Sequence, residues 1–105
     1  MTLDVHPRAR AEINSLVAWY EERRDGLGAD LRDEVWRALA LVVEHPSRWP
    51  PSRIPEARAR GVRHVLIRRF RVSIEYVVRG DAVRVLAIAD TRRRPGYWVR
   101  RLPIE

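Results

Sequence analysis

Two short clusters of arginine are the residues best placed to do chemistry. Arg63, Arg68, Arg69 and Arg71 form one, and Arg92, Arg93 and Arg94 form the other, shortly before Tyr97 and Trp98. A guanidinium is planar and permanently charged, so it grips phosphates and carboxylates but gives up a proton poorly. If both clusters reach one surface, they form an anion site able to hold RNA phosphates or to stabilise charge during phosphodiester cleavage. Tyr97 offers a ring for stacking on a base or a hydroxyl for proton transfer, and Trp98 an anchor that fixes the tail to the core.

All 21 basic residues are arginine. Without lysine there is no Schiff base, no P-loop lysine and no lysine general base. Without cysteine, disulfides, thiolate nucleophiles and cysteine-ligated metals are excluded as well. His6, His45 and His64 fall on separate elements with no second ligand at helical spacing, so no metal and no cofactor is expected. The acidic pairs Glu21-Glu22 and Asp33-Glu34 are helical neighbours that point apart, and read as solvated surface. Neither a glycine-rich phosphate loop nor a nucleophile elbow occurs.

Charge is divided along the chain. Residues 1–45 hold six arginines against nine acids, while residues 46–105 hold fifteen against five. The positive field belongs to the second half and favours anionic partners, either nucleic acid or an acidic protein segment. At 105 residues with 46% hydrophobic content, one domain spanning 1–105 is expected. No basic-then-apolar leader opens the sequence, and no apolar run approaches membrane-span length, so a cytoplasmic location without membrane association is expected.

The elements that must carry these residues follow from periodicity. Thr2 to His6 alternates as a short strand, and Pro7 suits the first turn of a helix. From Arg8 to about Asp25, Ala9, Ile13, Leu16, Val17 and Tyr20 recur at spacings of three and four, and Gly26 stops the helix. A second helix, Ala29 to Glu44, shows Leu31, Val35, Ala38, Leu39 and Val42 on one side and Trp36, Ala40 and Val43 on another. Burial from two directions is expected for it, by the first helix and by a sheet. The Pro- and Arg-rich stretch from Ser47 to Pro55 fits neither helix interior nor central strand.

Three strands follow: Val62 to Arg68, Arg71 to Val78 and Ala82 to Ala89, the last two joined by a tight turn at Arg79-Gly80-Asp81. Val72, Ile74, Tyr76 and Val78 share one face of the second, with Arg71, Ser73, Glu75 and Val77 on a wet face. The third is almost continuously apolar and suits an inner position. The fold class is α+β: an N-terminal helical hairpin packed on a small twisted antiparallel β-sheet.

In order and spacing, the Pro7-led helix, Ala18-Trp19-Tyr20-Glu21, the Pro46 stop, Gly61-Val62-Arg63-His64-Val65, the Phe70 to Tyr76 strand and Arg93-Arg94-Pro95-Gly96-Tyr97-Trp98 resemble the RelE/ParE superfamily. These are toxins of bacterial type II toxin–antitoxin modules, also called plasmid stabilisation proteins. The resemblance implies growth arrest directed at DNA gyrase (ParE-like) or at ribosome-bound mRNA (RelE-like). It also implies a cognate antitoxin with an acidic or amphipathic segment, and operator DNA contacted only through that antitoxin. Any enzyme of this kind would be a metal-independent mRNA endoribonuclease. Carried over, Arg93, with Arg92 beside it, matches the basic position after the last strand, Tyr97 the late tyrosine and Arg63 a basic residue on the first strand of the meander. Arg68, Arg69, Arg71, Arg92, Arg94 and Trp98 are the expected surface for target or antitoxin. Ser73 stands where such nucleases place an arginine, and Asp90 where related sequences often have His. The alternative is a non-enzymatic binding module or decayed toxin acting in antitoxin-dependent autoregulation.

Overall fold

A computed structural model describes residues 1–102. Strand β1 (Thr2–Val5) leads into helix α1 (Pro7–Arg23), then α2 (Leu27–Glu44) and a single turn of helix, α3 (Pro55–Ala59). The meander β2 (Arg63–Ile67), β3 (Val72–Arg79) and β4 (Ala82–Asp90) follows, with 3₁₀ turns at Arg68–Phe70 and Val99–Arg101.

Local chemistry sets the helix ends. His6 precedes the Pro-led first turn of α1 and its Nδ1 accepts the Arg8 N–H at 3.0 Å, so one of the helix's unpaired amides is satisfied by a side chain. The hairpin turns on two glycines with different duties. Gly26 takes φ +86°, a left-handed conformation that other residues adopt only under strain. Gly28 lies in the first turn of α2, where an added Cβ would fall 2.5 Å from the Val17 carbonyl oxygen, so its bare backbone lets the helices close. Glu21 reaches across and accepts the N–H groups of both, at 2.9 Å each.

The sheet order is β1-β4-β3-β2. The meander is antiparallel as expected, but β1 pairs parallel with β4, Thr2 opposite Ala82 through Val5 opposite Val85, which makes the sheet mixed. The direction follows from the connection: β1 reaches β4 only after the helical hairpin has carried the chain across the sheet. β4 is thereby central, which explains its unbroken apolar run.

The main core lies between hairpin and sheet. Ala9 and Ile13 of α1 and Leu31, Val35, Leu39 and Val42 of α2 meet Val65, Ile67, Val72, Ile74, Tyr76, Val83 and Val85. The expected second buried face of α2 does not form: Trp36 is 37% exposed, Ala40 is exposed and Val43 is only partly covered. The hairpin is a single layer, and among the described residues no further element packs on its outer side; Trp36 instead has the Arg10 guanidinium 6.0 Å from its ring.

The other departure is on the sheet's far face. It is not a wet face, because α3 and the C-terminal tail cover it with a second core of Ala57, Val62, Val77, Leu86, Ala87, Trp98 and Leu102. Ser73 and Glu75 are therefore buried, and Val72 through Val77 form an unbroken buried run. Val78, placed by alternation on the core face, is exposed beside the turn.

Candidate functional site

The tail is fixed to the end of the sheet by a series of short bonds. Thr91 donates its N–H to the Arg71 carbonyl at 2.8 Å, and Asp90 accepts both the amide and the guanidinium of Arg92 at 2.9 Å. The Arg92 contacts hold the Asp90 carboxyl below the ordinary aspartate range. Gly96, at φ +77°, turns the chain against Ile54 and sends Trp98, 2% exposed, into the second core.

Tyr97 and Arg93 converge on Glu12. The Tyr97 hydroxyl donates to Glu12 Oε2 at 2.6 Å; Arg101 donates to both carboxylate oxygens, at 3.0 and 2.9 Å; and Arg93 Nη1 lies 3.6 Å away. The Arg93 guanidinium also sits 3.7 Å from the centre of the Tyr97 ring. Burial first, and the neighbouring carboxylate second, push the Tyr97 hydroxyl well above the ordinary tyrosine range. A phenol held this way keeps its proton and is a poor general base.

Beside this cluster, on the far face of the sheet, a groove of about 310 Å³ has Arg53, Arg93 and Arg94 at its rim and His64, Leu66, Ser73, Glu75 and Ala89 below. Glu75, 6% exposed, accepts the Ser52 hydroxyl at 2.9 Å and the Ser73 hydroxyl at 2.7 Å. Burial is the largest influence on it and raises its carboxyl above the usual glutamate range, although both hydroxyls favour the charged form. His64, directly opposite Glu75 in the β2–β3 ladder, has Nδ1 3.1 Å from the Pro51 carbonyl oxygen. A carbonyl can only accept, so Nδ1 carries the hydrogen in this contact; in the neutral ring that assigns the lone pair to Nε2.

The remaining arginines separate. Arg94 lines the groove, while Arg92 lines a neighbouring one against α1. Arg68 and Arg71 are exposed at the β2–β3 corner, Arg71 at φ +54°. Arg69 turns toward the hairpin and pairs with Asp30 at 3.1 Å and Glu34 at 3.3 Å. Arg63 is not brought to Arg93 and Tyr97. It shares the helix-facing side of β2 with Val65 and Ile67, donates to the Trp49 carbonyl at 2.5 Å, and lies four residues, about 13 Å, from the end of β2 where the tail crosses.

Glu12, His64 and Glu75 were not among the site candidates read from the sequence. Glu12 carried a signal: a carboxylate three residues after Ala9 and four before Leu16 sits inside the apolar stripe of α1. Glu75 and His64 carried none until the tail was known to cover their face. Among the described residues no group of acids and histidines is gathered that could hold a metal ion, and no helix is long and apolar enough to cross a membrane.

No protein-family model and no curated protein matches the sequence. Among solved structures, a chain of the chromosomal ParDE TA system from P. aeruginosa is similar at 22% identity, with a TM-score of 0.59 over 84% of this chain and 92% of that one. Two N-terminal helices on a four-stranded mixed sheet, closed by an arginine-rich tail, give this chain the RelE/ParE-like α+β fold.

Proposed function

We propose that the chain is the toxin of a bacterial type II toxin–antitoxin module and that it acts in the ParE-like manner, by binding DNA gyrase rather than by cutting mRNA. The observation that carries the choice is the Tyr97–Glu12 bond. The residues a RelE-like nuclease would use are dispersed or occupied: Tyr97 is bonded to Glu12, Arg93 is stacked on Tyr97, Arg63 lies on the opposite face and Ser73 is bonded to Glu75. Support for a toxin comes from the likeness to the ParDE chain and from the +10 balance of residues 46–105, which suits an acidic or amphipathic antitoxin segment. Inducible expression with and without the neighbouring gene, followed by plasmid topology and mapping of transcript ends, tests it. Altered topology with intact transcripts supports the reading.

A second reading is favoured by one arrangement. With its ring neutral, His64, in a groove that Arg53, Arg93 and Arg94 also line, would take a proton from a ribose 2′-hydroxyl. The 2′-oxygen would bond to the arginine-held phosphorus and expel the 5′-oxygen, which takes a proton from water, leaving a 2′,3′-cyclic phosphate without a metal. Transcripts cut on expression, with loss of cutting in His64→Ala, would select it.

A further inference from the structure

β1 covers only the first part of β4. Its pairing ends at Val5 opposite Val85, and the last bond in that line is His6 N–H to the Val85 carbonyl at 2.9 Å. Further along, the Ile88 N–H is taken by Glu12 of α1 at 3.0 Å and so points away from β3, whereas the Thr91 N–H is bonded to Arg71 on the β3 side. Strand alternation then turns the Ile88 carbonyl and the Asp90 N–H away from β3 as well. No bond to either group is made among the described residues. Ile88 is 2% exposed and lines a groove of about 480 Å³ between α1, β4 and the tail, so its carbonyl is a nearly buried acceptor waiting for a donor from that groove.

An acceptor and a donor two residues apart on one strand edge are what the single facing residue of a parallel strand bonds to. A planar ring whose edge sets an N–H beside a ring nitrogen meets the same pair. The walls suit a ring. Leu16 and Trp19 make the α1 side apolar, with Trp19 41% exposed, and the tail side carries Arg93, its guanidinium 3.7 Å from the centre of the Tyr97 ring. The charges of the groove are already matched, Arg92 by Asp90 and Arg93 by Glu12. An ionised ligand would find no free counter-charge there, and a neutral ring needs none.

We propose that this groove binds an uncharged aminopurine, as the free base or nucleoside, edge-on to β4. The amino group donates to the Ile88 carbonyl, the adjacent ring nitrogen accepts the Asp90 N–H, and the ring lies between α1 and the tail. The two backbone bonds set its orientation, and the apolar wall supplies the area it buries, in a groove of the size and mixed lining that small ligands occupy. The site requires only the open edge and the matched charges, so its failure leaves the toxin reading untouched.

The probe is adenosine, titrated into the ¹⁵N-labelled chain and followed at the Asp90 amide and the Trp19 indole N–H. Saturable shifts at both are expected. Purine riboside keeps the ring and sugar but lacks the amino group that meets Ile88, and is expected to bind about tenfold more weakly. Adenosine monophosphate separates a phosphate-bearing source from the free nucleoside, and is expected to bind no more tightly than adenosine. Ser15→Phe, at an exposed position of α1 in the groove wall, is expected to abolish binding while the remaining amide signals keep their positions. No saturable shift at millimolar adenosine, equal binding of purine riboside, tighter binding of the monophosphate, or unchanged binding by Ser15→Phe overturns the proposal. The nucleoside arms use the unmodified chain and decide the matter whatever Ser15→Phe does to folding.

Discussion

Tyr97 and Glu12 stand 85 positions apart in the chain and 2.6 Å apart in the fold, joined by a hydrogen bond from the phenol to the carboxylate. The same carboxylate takes the guanidinium of Arg101 and the edge amide of Ile88, so one side chain of α1 holds both the tail and the uncovered stretch of β4.

Glu12→Ala leaves the largely buried Arg101 without its counter-charge and the Ile88 amide without its acceptor. A loss of about 3 kcal/mol is expected in chemical denaturation, against about 1 kcal/mol for Tyr97→Phe, which removes one hydrogen bond. In alkaline titration followed by tyrosinate absorbance, Glu12→Gln brings ionisation of Tyr97 downward. It stays above the ordinary range, because burial is the larger cause of the shift.

Glu75 makes stability depend on pH in an unusual direction for a carboxylate. Its folded-state pKa lies above the unfolded value, so the folded chain holds the proton more tightly and stability falls as pH rises through the window just above the ordinary glutamate range. Glu75→Gln keeps partners for Ser52 and Ser73 and removes the charge. Denaturation midpoints measured from pH 4 to 8 should decline for the parent chain and stay level for the variant, with the variant the more stable at pH 7.

The two hairpin glycines should respond to alanine for different reasons. Gly28→Ala drives a methyl against the Val17 carbonyl and is expected to cost about 2–3 kcal/mol. Gly26→Ala meets no atom within 4 Å but must hold φ +86°, at about 1 kcal/mol. Thermal unfolding of the two variants should rank them in that order.

Trp98 and Trp19 provide a second contrast. Trp98→Ala empties the second core and is expected to cost about 3–5 kcal/mol. Trp19 lies under Arg23, whose guanidinium is 3.5 Å from the ring centre, and at 41% exposure its replacement by Ala should cost about 1 kcal/mol. Denaturant midpoints separate the two.

The elements were legible where one periodicity dominates. Ala9, Ile13 and Leu16 marked α1, and the apolar run of β4 placed it inside the sheet. Burial arising from distant segments was not legible. Ser73 and Glu75 alternate as a solvated face would, and only the tail folding over them makes that face a core. The parallel pairing of β1 depends on where the hairpin returns the chain, which four residues of strand do not encode. Of the arginines, Arg93 and Arg94 came to the groove as their position after the last strand implied. Arg63 did not, because strand parity turns it to the helix side and holds it at the Trp49 carbonyl.

The most direct measurement is gyrase supercoiling with the purified chain, run alongside ribosome-dependent cleavage of a defined mRNA. Loss of supercoiling with intact mRNA is the result expected. Intact supercoiling with cleaved mRNA, lost in His64→Ala, would contradict the binding mechanism and leave the groove above His64 as the site of chemistry.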